Sequence, residues 1–255
     1  MFPVLNIGPL ALQLPGLVVL IGIWLGLSLA ERLAKSIKAS ELYNLVLITL
    51  LCGVIGARLG YVLDYPDAFA ENPLNILSLN LSMFNLYAGL GACLIVAIVY
   101  AQWKQLSFWS TLDALTPFFA VISIALGVSH LTSGRGFGSP ADLPWSIQLW
   151  GSLRHPTQIY EIILSTLILV FIIIWVKRVE SRIDGILFLT FLALTASTRL
   201  FTEAFRGDSI LTITGIRTAQ LAAWFILALS LWALGKRFSE NKISSENHIN
   251  SNPSK

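Results

Sequence analysis

Charge is scarce in this chain. Asp, Glu, Lys and Arg make up 12% of its 255 residues, against roughly 25% in soluble globular domains, while hydrophobic residues reach 55% and the mean hydropathy is +0.74. That balance excludes an ordinary soluble domain and leaves a polytopic membrane protein. Cysteine is nearly absent too. Cys52 and Cys93 are the only two, both inside apolar runs, which excludes a disulfide framework and makes them small apolar fillers. No metal site and no cofactor is expected. The net charge of +3 comes without a basic run, so nucleic acid is not an expected partner.

What fills the chain is a series of seven apolar segments of spanning or near-spanning length, about Leu10 to Ala30, Asn44 to Leu63, Leu86 to Trp103, Leu112 to Leu131, Gln158 to Val176, Gly185 to Phe205 and Thr218 to Leu234. The expected fold is all-α, a bundle of seven transmembrane helices. Residues 1–238 form its domain, and the polar stretch 239–255 is expected to be a disordered cytoplasmic tail. Basic residues set the orientation. Arg32, Lys35 and Lys38 follow the first span, Lys104 the third, Lys177, Arg178 and Arg182 the fifth, and Lys236 and Arg237 the seventh. By the positive-inside rule that side is cytoplasmic, with the N-terminus outside and the C-terminus cytoplasmic. The first span, with basic residues after it, reads as a retained anchor. A short helix near Asn75 to Leu79 is expected in the first outer loop, which also carries Asp64, Asp67 and Glu71.

The sixth segment breaks the apolar pattern most sharply, in the stretch T-A-S-T-R-L-F-T-E-A-F-R-G-D from Thr195 to Asp208. A central Arg or Asp costs roughly 2.5–3.5 kcal/mol on translocon insertion scales, so these charges need a compensating role. At helical spacing Arg199, Glu203 and Arg206 fall on one stripe, which predicts two cations around one anion facing the interior. An intrahelical Arg199–Glu203 pair would explain part of this. The surplus cation suits an anionic headgroup.

Three further places carry polar residues into apolar surroundings. Arg58 lies in Gly56-Ala57-Arg58-Leu59-Gly60-Tyr61-Val62, among small residues that let another helix approach closely. The fifth segment opens with Arg154-His155-Pro156-Thr157-Gln158-Ile159-Tyr160-Glu161, where His155 takes the N-cap place before Pro156 and Gln158, Glu161 and Ser165 share a face. Between the fourth and fifth segments, the glycine-punctuated run Ser129 to Pro140 holds His130 and Arg135. Its N–H groups beside an Arg form a candidate anion cradle, though Gly-rich turns are common.

Taken together, these blocks, seven spans and an outside N-terminus resemble the prolipoprotein diacylglyceryl transferase family of bacterial inner membranes. The resemblance implies transfer of the diacylglyceryl group of phosphatidylglycerol to the lipobox cysteine of a lipoprotein precursor, with release of glycerol phosphate. It implies phosphatidylglycerol, the precursor's signal peptide and membrane lipid as partners, and the inner membrane as location. Arg199 and Arg206 would bind phosphate, Glu203 would hold them, and Arg58, Arg135, Gln158, Tyr160 and Glu161 would line the same headgroup site. Some family positions differ: Tyr87-Ala88-Gly89 stands where the family has His-Gly-Gly, and Gly127, His130 and Arg135 overlay its usual Arg, Asn and Glu. The candidates for the base that takes the thiol proton are therefore His130, then His155, then Tyr87. A lipid-binding relative without turnover is the alternative; a lipid or anion transporter would also bury charge, but no repeat symmetry is visible.

Overall fold

The computed structural model describes residues 4–7, 10–34, 37–70, 72–78, 83–178, 183–213 and 215–251. Lys35 and Arg182, which enter the orientation, and Glu71 and Leu79 of the first outer loop lie outside the described residues. Helices are α1 (Leu14–Leu33), α2 (Ala39–Asp64), α3 (Pro66–Ala70), α4 (Leu86–Trp103), α5 (Phe108–Ser133), α6 (Thr157–Arg178), α7 (Ile186–Glu203) and α8 (Thr218–Ser251). Antiparallel hairpins pair β1 (Val4–Ile7) with β2 (Leu10–Gln13) and β3 (Ile147–Leu149) with β4 (Ser152–Arg154). Among the described residues, seven helices are long and apolar enough to cross a membrane, and the chain is a multi-pass membrane protein. The seven-helix stretch divides into two compact units, residues 34–111 and residues 1–33 with 112–255, and each is described by itself.

In the unit of residues 34–111, α2 and α4 meet through small residues. A Cβ on Gly53, Gly56 or Gly60 would collide with Cys93, Ala92 or Ala88, and one on Gly89 would come within 2.8 Å of the Ala57 Cβ. The backbones approach closely only because these side chains are absent. Cys93 is part of that packing, its thiol 3.4 Å from the Thr49 carbonyl. Asn85 caps α4, accepting from the Ala88 N–H at 3.1 Å. The expected short helix is a 3-10 turn over Pro73–Leu77.

Arg58 has a different fate from the one expected. Its guanidinium donates to the carbonyls of Ile76 at 2.8 Å, Met83 at 2.7 Å and Asn75, and it lies over the rings of Phe69 and Phe84. Three carbonyls and two rings of the segment joining α2 and α4 contact the guanidinium. Arg58 thus ties the carbonyls of Asn75, Ile76 and Met83 together and secures the segment that joins the two helices.

The other unit is built around α5, α6 and α7. Gly22 and Gly26 let α1 lie against Ala125 and Phe118 of α5, and Gly127 lets α5 approach Ile162 of α6. Ala120, Ile168, Ile172, Val176, Leu187 and Phe191 form the buried core between α5, α6 and α7. Asp113 fixes the start of α7. Its carboxylate accepts from the N–H groups of Gly185 at 2.7 Å and Phe188 at 2.8 Å, and Gly185 supplies the left-handed backbone, φ +92°.

Several boundaries differ from the expected ones. The first helix begins at Leu14, not Leu10, because Leu10–Gln13 pairs as β2, leaving Pro15 in the first turn. Helix α5 begins at Phe108, so Pro117 is interior to it, next to Thr116, whose hydroxyl donates to the Leu112 carbonyl at 2.9 Å. The tail expected to be disordered from Ser239 continues α8 through Ser251; once a helix is nucleated, extending it costs little, and Lys236 and Arg237 face Glu240.

Candidate functional site: a carboxylate shared by two arginines and a histidine

Helix α6 enters the apolar region with Glu161 one turn inside its N-terminus, and α7 arrives with Arg199 in its last turns. The two meet at the Glu161 carboxylate. Its Oε1 accepts from Arg199 Nη1 at 3.0 Å and from Arg206 Nη1 at 2.9 Å, while Oε2 lies 3.3 Å from Nδ1 of His130 near the end of α5. Glu203 sits on the same side of α7, with Oε2 3.1 Å from Arg199 Nη2 and 3.7 Å from Arg206 Nε. It is close enough to neutralise both, but Oε2 receives no well-aligned hydrogen bond.

The expected stripe of two cations around one anion needs correction. Helix α7 ends at Glu203, so Arg206 is reached by a turn. Asp208, two residues on, accepts from Arg206 Nε at 3.0 Å and Nη2 at 3.1 Å. The two guanidiniums therefore face three carboxylates, Glu161, Glu203 and Asp208, and the cluster carries no surplus positive charge. Burial works against the charge on Arg206, but Asp208, Glu161 and Glu203 outweigh it and hold the guanidinium above its ordinary pKa.

The glycine loop also plays a part other than the expected one. Gly136, at φ +66°, presents its N–H to Asp208 Oδ2 at 2.8 Å, and a Cβ there would press on the Arg206 guanidinium at 3.2 Å. Gly138 bridges to Arg206, Ser139 N–H donates to the Phe205 carbonyl at 2.7 Å, and Gly207 N–H donates to the Phe137 carbonyl at 2.8 Å. The anion held by this loop is the protein's own Asp208. Arg206 is thereby locked, with 9% of its side chain exposed, while Arg199 keeps 37% and His130 34%.

Glu161, Arg199 and His130 line a cavity of about 170 Å³. Its remaining walls are rich in hydroxyls, from Ser123, Ser165, Thr195, Thr198 and Thr202. Thr198 also lines an apolar groove of about 530 Å³ between α6 and α7, walled by Leu164, Leu167, Phe171, Leu194 and Phe201. A charged and hydrogen-bonding chamber thus adjoins a channel suited to a hydrocarbon chain.

The other expected site residues divide. Gln158 is fully buried and its amide donates to the Arg135 carbonyl at 3.0 Å, so it secures the loop instead of lining the cavity. Arg135 is exposed, and its side chain makes no ion pair among the described residues. Helix α6 begins at Thr157, with the Pro156 carbonyl accepting from the Ile159 and Tyr160 N–H groups, which moves the cap one residue past His155. His155 instead joins an aromatic cluster with Tyr160 and Phe205, its Nδ1 3.4 Å from the Tyr160 hydroxyl, which accepts from Trp145 Nε1 at 2.9 Å. Tyr87 belongs to the other unit, 84% exposed in the first turn of α4. Asp208 was missed, although the Arg-Gly-Asp spacing at a helix end is a signal for a bidentate local pair. Thr198 was missed as well, whereas Thr195 lies on or beside the stripe of Arg199, Glu203 and Arg206.

Comparison with known proteins gives a consistent result. A family model described as prolipoprotein diacylglyceryl transferase matches residues 3–235. The phosphatidylglycerol–prolipoprotein diacylglyceryl transferase of Bordetella parapertussis is 32% identical over 191 residues, covering 71% of this chain and 72% of that protein. That of Clostridium botulinum strain Langeland is 30% identical over 244 residues, covering 89% and 93%, and that of Finegoldia magna 28% identical over 214 residues, covering 83% and 86%.

Proposed function

The chain belongs to the prolipoprotein diacylglyceryl transferase family, and on that premise we propose that it transfers the diacylglyceryl group of phosphatidylglycerol to the cysteine thiol of a prolipoprotein, releasing glycerol phosphate. The observation that carries this is the Glu161 carboxylate joining His130, Arg199 and Arg206 at a cavity whose wall continues into an apolar groove. Such a site takes a lipid by its phosphate and by its chain at once.

The reaction forms a C–S bond and breaks the C–O bond between glyceryl carbon and phosphate. A thiol of reference pKa about 8.5 is only a few per cent thiolate near neutral pH, so removing its proton helps. His130 takes that role. With its Nδ1–H donating to Glu161, the imidazole presents Nε2 as the acceptor, and Glu161 stabilises the imidazolium that forms. As the C–O bond breaks, negative charge grows on the departing phosphate. Arg199, partly exposed and lining the cavity, is the cation that meets it. Arg206 acts as a positioning residue, held by Asp208 and in turn fixing Glu161.

The orientation follows from the basic residues, with the Glu161 site toward the outer face of the bacterial inner membrane, where precursor signal peptides are presented. Labelling of Ser139→Cys and Lys177→Cys in intact cells tests this: position 139 reacts with an impermeant reagent and position 177 does not, and the reverse pattern overturns the orientation. The activity is tested by complementation of a strain depleted of its own transferase, read from the mass of a model lipoprotein. Addition of one diacylglyceryl group supports the proposal. Good expression without that mass change favours a lipid-binding protein that does not turn over.

A further inference from the structure

Hydroxyls on the membrane helices of this unit mostly satisfy themselves. Thr116, Ser123, Thr166 and Ser197 each donate to the carbonyl four residues earlier at 2.7–2.9 Å, the usual fate of Ser and Thr in an apolar helix. Ser165, Thr195 and Thr198 make no such bond among the described residues. The Thr195 Oγ1 is buried with no partner, Ser165 is 8% exposed, and all three line the cavity beneath Glu161 and Arg199. A buried hydroxyl donor without an acceptor is costly to keep. That cost at Thr195, with the hydroxyls of Ser165 and Thr198 at the same cavity and not bonded to their own helices, points to an acceptor that enters it.

Their depth says which acceptor. Ser165 lies four residues beyond Glu161 on α6, and Thr195 four residues before Arg199 on α7. At 1.5 Å per residue that sets these two hydroxyls about 6 Å along the helices from the charged groups, with Thr198 between Thr195 and Arg199 and shared with the apolar groove. Along α6 and α7 the charges come first and Ser165 and Thr195 next, and the groove, which runs beside both from Phe201, continues past them to Phe171. A phospholipid presents phosphate, ester carbonyls and acyl chains in the same order. The middle layer contains donors without full charge, which suits a neutral carbonyl and would leave a second anion unneutralised.

We propose that Ser165, Thr195 and Thr198 form a subsite for the acyl-ester carbonyls of the donor lipid, so that the protein selects diester over diether phospholipids; this rests on the function proposed above. The test compares dioleoyl phosphatidylglycerol with its diether analogue, using the purified full chain, wild type and the variants Ser165→Ala, Thr195→Val and Thr195→Val/Thr198→Val. Both binding and transfer to a lipobox peptide are measured. Wild type is expected to favour the ester in binding and in kcat/KM by about three- to tenfold for each hydrogen bond made. The double variant is expected to bring the ester value down to that of the ether. Equal use of the two lipids by wild type, or an unchanged ester preference in the double variant, overturns the subsite while leaving the transferase function standing. If no peptide is modified with either lipid, the function fails, and the binding ratio still decides the subsite: an ester preference lost in the double variant supports it, and equal binding overturns it.

Discussion

Glu161→Gln keeps the side-chain volume and removes the one charge that His130, Arg199 and Arg206 share. The effect on stability and the effect on rate should separate. Arg206 would still be held by Asp208 through two hydrogen bonds of 3.0 and 3.1 Å, and Arg199 would still face Glu203 at 3.1 Å. No guanidinium is left without a carboxylate, so the stability loss should fall short of the roughly 3–5 kcal/mol that follows breaking a buried ion pair outright. Two charge-assisted bonds are weakened but not deleted, which suggests about 1–3 kcal/mol. The rate loss is larger. His130 loses the acceptor that fixes its tautomer and the charge that stabilises its protonated form, and removal of general-base assistance typically costs about 10²–10⁴-fold. The assay is transfer to a lipobox peptide at saturating phosphatidylglycerol, with protein amount and thermal stability in the same detergent measured beside it. A variant that folds and turns over within a few-fold of wild type would refute the His130–Glu161 role.

Two other substitutions probe the scaffold. Asp208→Asn keeps an acceptor for the Gly136 N–H but weakens the clamp on Arg206; at about 2 kcal/mol for a charge-assisted bond, kcat/KM should fall roughly 10- to 30-fold, and an unchanged rate would mean that Arg206 needs no fixing. Arg58→Leu removes the guanidinium that donates to the carbonyls of Asn75, Ile76 and Met83, and limited proteolysis should cut between α2 and α4 much faster than in wild type; equal cutting rates would show that the loop holds itself.

Much of the architecture was legible because it depends on properties local in sequence. Apolar runs of spanning length gave seven helices, and Gly53, Gly56 and Gly60 at helical spacing gave the close face on which α4 packs. Glu161, Arg199, Glu203 and Arg206 stood out because charge in an apolar run is costly wherever the helices later meet. What the residues could not reveal is which distant partner would claim them. Arg58 and Gln158 carry the same signal of a buried polar group, yet both are absorbed by carbonyls of neighbouring loops, whose course depends on long-range folding. The net charge of the site was misjudged for the same reason. Asp208 becomes a member only because α7 stops at Glu203 and the chain turns back onto the glycine loop. The β1–β2 hairpin escaped notice since Leu10–Gln13 is apolar enough to continue the helix that follows it.

The central claim is that the cavity beside Glu161 joins a thiol to a diacylglyceryl group with His130 as base. It is tested most directly by incubating the purified chain with phosphatidylglycerol and a lipobox peptide, and following both products by mass. Wild type is predicted to form diacylglyceryl-peptide and glycerol phosphate in equal amounts, a serine-for-cysteine peptide to form neither, and His130→Gln to be slower by about 10²-fold or more. Equal product formation by wild type and His130→Gln, both well folded, would contradict it.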